Sequence, residues 1–102
     1  MKRFYASTYV KYCIARIDKD GEIWYYRTAS MGGKDKNGIL RIWNIKWEEY
    51  NSDSGNYDRR ERAEEILKGI LKYDYDKESK YHIIEVTTTT TRQSMGKEVN
   101  YE

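Results

Sequence analysis

Only one stretch of this chain carries a helical period, and that limits the folds open to it. Ala63, Ile66, Leu67, Ile70 and Leu71 recur at i, i+3, i+4, i+7 and i+8, which gathers them on one stripe and leaves Arg60, Glu61, Glu64, Lys68 and Lys72 on the polar side. Asp58 is placed to cap the start, Glu61 three residues later completes an acidic capping box, and Glu64 and Lys68 are ordered as a favourable i,i+4 pair. Gly69 costs about 1 kcal/mol against Ala inside a helix, so it predicts close packing against a sheet. The helix should fray near Tyr73-Asp74-Tyr75-Asp76.

Most of the remaining chain reads as strand. Residues 9–18 (YVKYCIARID) are dense in β-branched and aromatic side chains, Asp18-Lys19-Asp20-Gly21 supplies turn chemistry, and residues 22–30 (EIWYYRTAS) resume the same character, so a β-hairpin is expected. Val10, Tyr12 and Ile14 share one face of the first strand and Cys13, Ala15 and Ile17 the other. Trp24 and Tyr26 oppose Ile23 and Tyr25 in the second, so the alternation does not decide which face meets the core. Met31-Gly32-Gly33-Lys34-Asp35-Lys36-Asn37-Gly38 reads as a polar loop or long hairpin tip that could act as a contact loop. Residues 39–45 form a third expected strand, and residues 46–57 a connection holding Trp47, Tyr50 and the Asn51-Ser52-Asp53-Ser54-Gly55-Asn56 loop. Residues 81–91 (YHIIEVTTTTT) read as the last strand, with Ile84 and Val86 on one face beside His82 and Thr88. The expected fold class is α+β: an antiparallel sheet of three to five strands with one amphipathic helix packed on it, in the order β-β-β-α-β. Residues 1–91 make one domain, and residues 92–102 a loose tail with a short added strand near Val99 and Tyr101.

Charge does little to select a partner. Nineteen basic and seventeen acidic residues leave a net charge of +2, which supports neither strong binding to a nucleic-acid backbone nor an acidic DNA mimic. The first fifty residues carry a mild excess of base and the remainder a mild excess of acid, as solvated surfaces commonly do. Cys13 is the single cysteine, so neither an intrachain disulfide nor a cysteine-based zinc site can form, and a reducing cytoplasm fits best. The start of the chain lacks the apolar run of a signal peptide, and no stretch approaches the roughly 20 apolar residues of a membrane span.

Few residues offer chemistry. His82 needs a partner to act as a base, and Glu85 falls on the opposite strand face by parity. Cys13 sits mid-strand as a buried small hydrophobe, and Asp74, Asp76 and Glu78 alternate at a solvated helix end without the glycine and terminal glutamate of an EF-hand. Gly32-Gly33-Lys34 lacks the P-loop pattern. No catalytic residue, cofactor site or metal site is therefore assigned.

What the chain has in quantity is contact surface: eleven tyrosines and three tryptophans. Such side chains supply large amphipathic area at low rotamer cost, and they also serve ordinary strand packing. Trp24, Tyr26, Trp43, Trp47, Tyr50, Tyr57, Tyr73 and Tyr75 are the candidate anchors for a protein partner, and an open sheet edge could pair with a second copy or add a strand to a target. The alternative is a single-stranded nucleic-acid binder. There Lys11-Tyr12, Trp24-Tyr25-Tyr26-Arg27, Arg41-Ile42-Trp43 and Lys46-Trp47 would form a face that stacks bases while the cations follow phosphates.

Taken together over residues 9–90, the hairpin, the Ala63-Glu64-Glu65-Ile66-Leu67 helix and the closing Tyr81-His82-Ile83-Ile84-Glu85-Val86 strand resemble in architecture the small accessory proteins of bacteriophages and mobile elements. That group includes anti-CRISPR and other anti-defence inhibitors. The resemblance implies a stoichiometric inhibitor in the cytoplasm of a bacterial host, binding a defence nuclease or regulator and blocking its substrate site or its conformational change. It carries over no site residue. The near-neutral charge departs from the acidic, DNA-mimicking members, which leaves aromatic anchoring or blockage by a dimer as the implied mechanism.

Overall fold

A computed structural model of the chain describes the backbone of residues 3–94 and the side chains of residues 8–87. The elements follow the expected order: β1 (Arg3–Ile17), β2 (Ile23–Lys34), β3 (Leu40–Glu48), α1 (Arg60–Tyr73) and β4 (Lys80–Ser94). The strands form one antiparallel sheet in the order β3-β2-β1-β4, with the helix packed on it, an α+β fold. Asp18 organises the first turn: its Oδ1 accepts the backbone N–H groups of Asp20 and Glu22, and Gly21 takes the positive φ of 83° that the turn needs.

The glycine-rich segment differs from expectation. Met31, Gly32, Gly33 and Lys34 belong to β2, and the connection shrinks to a tight turn over residues 35–39. β3 likewise runs on through Trp47 to Glu48, so Trp47 is a strand residue. Three register irregularities between β2 and β3 explain both. An extra residue near Arg27 moves the core side of β2 from Tyr26 to Ala29 and Met31, and Asn44, at φ 55°, moves that of β3 from Leu40 and Ile42 to Ile45 and Trp47. A strict period of two does not survive such bulges.

On the inner face of the sheet, Ala63, Ile66 and Ile70 are fully buried against Ile14, Tyr26, Leu40 and Ile42. Gly69 packs as expected, since a Cβ there would fall 2.6 Å from the Leu40 carbonyl oxygen. Three expected helix details differ. Leu71 lies outside the buried stripe and is 41% exposed. The helix starts at Arg60 with Arg59 in the capping position and no side-chain cap, so Asp58 falls one residue short of that role. Glu64 pairs with Arg60 rather than Lys68.

β1 and β4 pair in register over fifteen positions, from Arg3 with Ser94 to Ile17 with Lys80. β1 pairs with β2 at only three, Ala15 with Tyr25 through Ile17 with Ile23. The two strand pairs therefore split apart beyond Ala15. Into the split comes the segment after β3: Tyr57 makes an antiparallel bridge to Tyr12, with both N–H···O bonds formed at 2.8 and 2.9 Å. Asp53 lies against Tyr9, Lys11 and Val86 on the outer face, while the helix that follows packs on the inner face. The chain thus crosses the sheet through the split, and Gly55 lies at the crossing.

Beyond Lys11, β1 is paired with β4 alone among the described residues. Fifteen strand residues extend about 50 Å, whereas the fourteen-residue helix spans about 21 Å, so the distal ribbon runs past the helix as an arm. The radius of gyration is 18.4 Å, against about 13 Å for a compact domain of this size. β4 also continues three residues past its expected end, through Arg92, Gln93 and Ser94. The short strand expected near Val99 and Tyr101 lies outside the described residues.

Candidate interaction surface

The eight candidate anchors separate into two groups. Tyr26 is a core residue at 2% exposure, and burial pushes its hydroxyl pKa up, with the Tyr57 hydroxyl donating to it at 3.3 Å. Trp47 meets Tyr26 edge-on at 6.3 Å and carries the Arg16 guanidinium 4.8 Å above its ring. Tyr57 stacks on Tyr26, with centroids 6.2 Å apart. Trp24 is half-buried, and its indole N–H donates to Asp18 Oδ2 at 3.0 Å, which holds the Asp18 carboxyl below its usual range. These four build the fold. Tyr26 in particular is corrected from surface anchor to core.

The other four reach solvent: Trp43 at 53%, Tyr50 at 80%, Tyr75 at 56%, and Tyr73 to a lesser degree. Trp43 stands on the outer face of the β2–β3 ribbon against Gly32, whereas Tyr73 ends the helix that packs on the inner face. Tyr75 lies 5.9 Å from Tyr81, itself packed against the core. Among the described residues no ring contact joins these four to one another, and Trp43 and Tyr73 stand on opposite sides of the sheet. The basic-aromatic sheet face is broken in the same way, because Tyr12, Tyr26 and Trp47 pack against the core cluster under the helix.

The residues considered for chemistry have other duties. The Cys13 thiol is buried, and desolvation, followed by the nearby Glu48 and Asp53 carboxylates, raises its pKa to about 11. His82 is opposite Ala15 and Glu85 opposite Tyr12, which puts them on opposite faces of the sheet. Asp76 closes its own turn, accepting the Glu78 N–H at 3.0 Å and the Ser79 hydroxyl at 2.7 Å.

Among the described residues the sheet ends in two edge strands, β3 and β4, and β4 continues with β1 as the arm. The β3 edge is blunted by the Asn44 bulge and by Arg41, Lys46 and Glu48. The β4 edge is regular through all fifteen pairs, and residues 86–91, Val86 and five threonines, carry no charge. On the β2-facing edge of β1, no strand among the described residues pairs before Tyr12, where Tyr57 occupies the edge. Beside that stop, Tyr9, Lys11, Asp53 and Val86 line a cleft of about 260 Å³. The missed feature is this split and its occupation by Gly55 and Tyr57, from a segment that reads locally as loop. No helix among the described residues is long and apolar enough to cross a membrane. Comparison with protein-family models, curated proteins and solved structures finds no match.

Proposed function

We propose that the chain is a non-enzymatic protein-binding module, acting by stoichiometric binding as a phage-type inhibitor of a bacterial defence protein. The observation that carries this reading is the arm: a two-stranded ribbon projecting past the helix, whose β4 edge pairs with no other strand among the described residues. A ribbon of two strands is marginal on its own in water, and added strands supply the hydrogen bonds and packing it lacks. Affinity would come from main-chain pairing and selectivity from side chains beside it, including the Tyr9 and Val86 cleft. The chemistry-bearing groups favour the same reading, because the Cys13 thiol is held protonated and buried while His82 and Glu85 cannot cooperate across the sheet.

The test is retention from a bacterial lysate by the tagged chain, in parallel with Ser7→Lys and Thr90→Lys, which put charge on the two arm edges. The expected result is one discrete protein that survives nuclease and high salt and is weakened by about tenfold or more in at least one arm variant. Retained nucleic acid that is lost on nuclease or salt treatment would replace this reading with the nucleic-acid one. A protein held equally by wild type and both variants would move the binding site off the arm.

A further inference from the structure

We infer that the distal edge of β4 pairs with the same edge of a second copy of this chain, giving a two-fold dimer with a continuous eight-stranded sheet. The inference deepens the protein-binding reading and rests on it, since it names one occupant of the arm. Antiparallel strands related by a two-fold axis perpendicular to the sheet must meet at a residue opposite itself. With the axis at Thr89, the threonines at 87, 88, 89, 90 and 91 face threonines at 91, 90, 89, 88 and 87 of the other copy. Cross-strand threonine pairs are favourable, and each of the five gains one. Charge is compatible with self-pairing as well: Val86 meets Arg92 and Glu85 meets Gln93, so no charge meets its like.

The other edges fit a second copy less well. β3 is interrupted by its bulge and carries charge along the same stretch. On β1, self-pairing centred on Ser7 would place Arg3 opposite Lys11, and a longer incoming strand would run into the Tyr57 bridge. The outer side of β4 has no neighbouring strand among the described residues, from Lys80 to Ser94. Its proximal half carries Lys80 and Glu85, which confines the uncharged contact to the distal half.

Sedimentation equilibrium over a wide concentration series tests this, using wild type, Thr89→Lys, Thr89→Glu and an equimolar mixture of the two variants, each first checked for an unchanged far-UV spectrum. Wild type should pass from the mass of one chain to that of two as concentration rises. Each variant alone should stay at one, because like charges face each other across the axis, and the mixture should recover the doubled mass. A wild type that stays at one chain throughout overturns the dimer, as does a doubled mass that persists in both variants. If that monomeric wild type still retains its target from lysate, the dimer alone fails; if it retains none, the protein-binding reading fails with it.

Discussion

Glycine at position 55 is demanded by space, not by backbone angle. A Cβ there would lie 2.0 Å from the Tyr26 carbonyl oxygen and 2.8 Å from its carbon, and neither atom can swing aside as a side-chain tip would. Gly55→Ala should therefore push the crossing segment out of the split, at the upper end of overpacking costs, about 3 kcal/mol. In a domain this small that lowers the melting temperature by on the order of 15 °C. Gly69→Ala is a finer balance: alanine gains about 1 kcal/mol in helix propensity, but its Cβ would press to 2.6 Å on the Leu40 carbonyl oxygen, and the clash should win. Gly33→Ala meets nothing within 4 Å and should be neutral or stabilising by about 0.5 kcal/mol. Thermal melts of the three variants check the order; a Gly55→Ala protein that melts with wild type would mean that the segment does not fill the split. None of these contacts is local in sequence, and that is why Gly55 reads as one more loop glycine while Gly69, inside a strong helical stripe, announces close packing.

Among the elements, those set by local periodicity and turn chemistry were legible, and those set by long-range pairing were not. The helix follows from Ala63, Ile66 and Ile70 at helical spacing, and the first hairpin from Asp18 and Gly21. The face of each strand did not follow, because apolar residues line both faces of β1 and the bulges at Arg27 and Asn44 reverse the alternation midway. Exposure of the aromatics failed similarly: Tyr26 and Trp43 look alike in sequence, and only the position of the helix separates them. The turn after β2 is tied to the helix by Asp35, whose Oδ1 accepts the N–H groups of Asn37 and Ile39 while Oδ2 takes the Lys72 ammonium and the Tyr73 hydroxyl. Lys72 first, then Tyr73, hold the Asp35 carboxyl well below the ordinary range. A carboxyl whose folded pKa is lowered stabilises fully above its unfolded value, about 3.9, and that contribution drains away as pH falls through the folded one. Asp35→Asn should melt below wild type at pH 7, with the gap narrowing progressively as pH falls below about 4. A gap that stays constant with pH would assign the difference to something other than this carboxylate.

Across the whole molecule, stability should be uneven in a way that matches its shape. The helix covers Ile14, Leu40 and Ile42, and the aromatic run of Tyr57, Tyr26, Trp47 and Tyr81 extends that core toward the first hairpin. Past Lys11, among the described residues, no third strand pairs with β1 and β4. Opening there breaks ladder hydrogen bonds without exposing the core, so it should cost much less than global unfolding. Amide hydrogen exchange at low protein concentration should show the bonded N–H groups around Ile14 and Ile83 exchanging only through global unfolding. Those of the ribbon between Arg3 and Val10 should exchange at least about a hundredfold faster. Uniform protection along β1 would mean that the arm belongs to the cooperative core. A gradient that flattens as concentration rises, with distal β4 protected together with distal β1, would tie the added stability to a strand from another chain. The arm would then be a segment whose order is completed by its partner, which is how a small core can present a binding edge longer than its own helix.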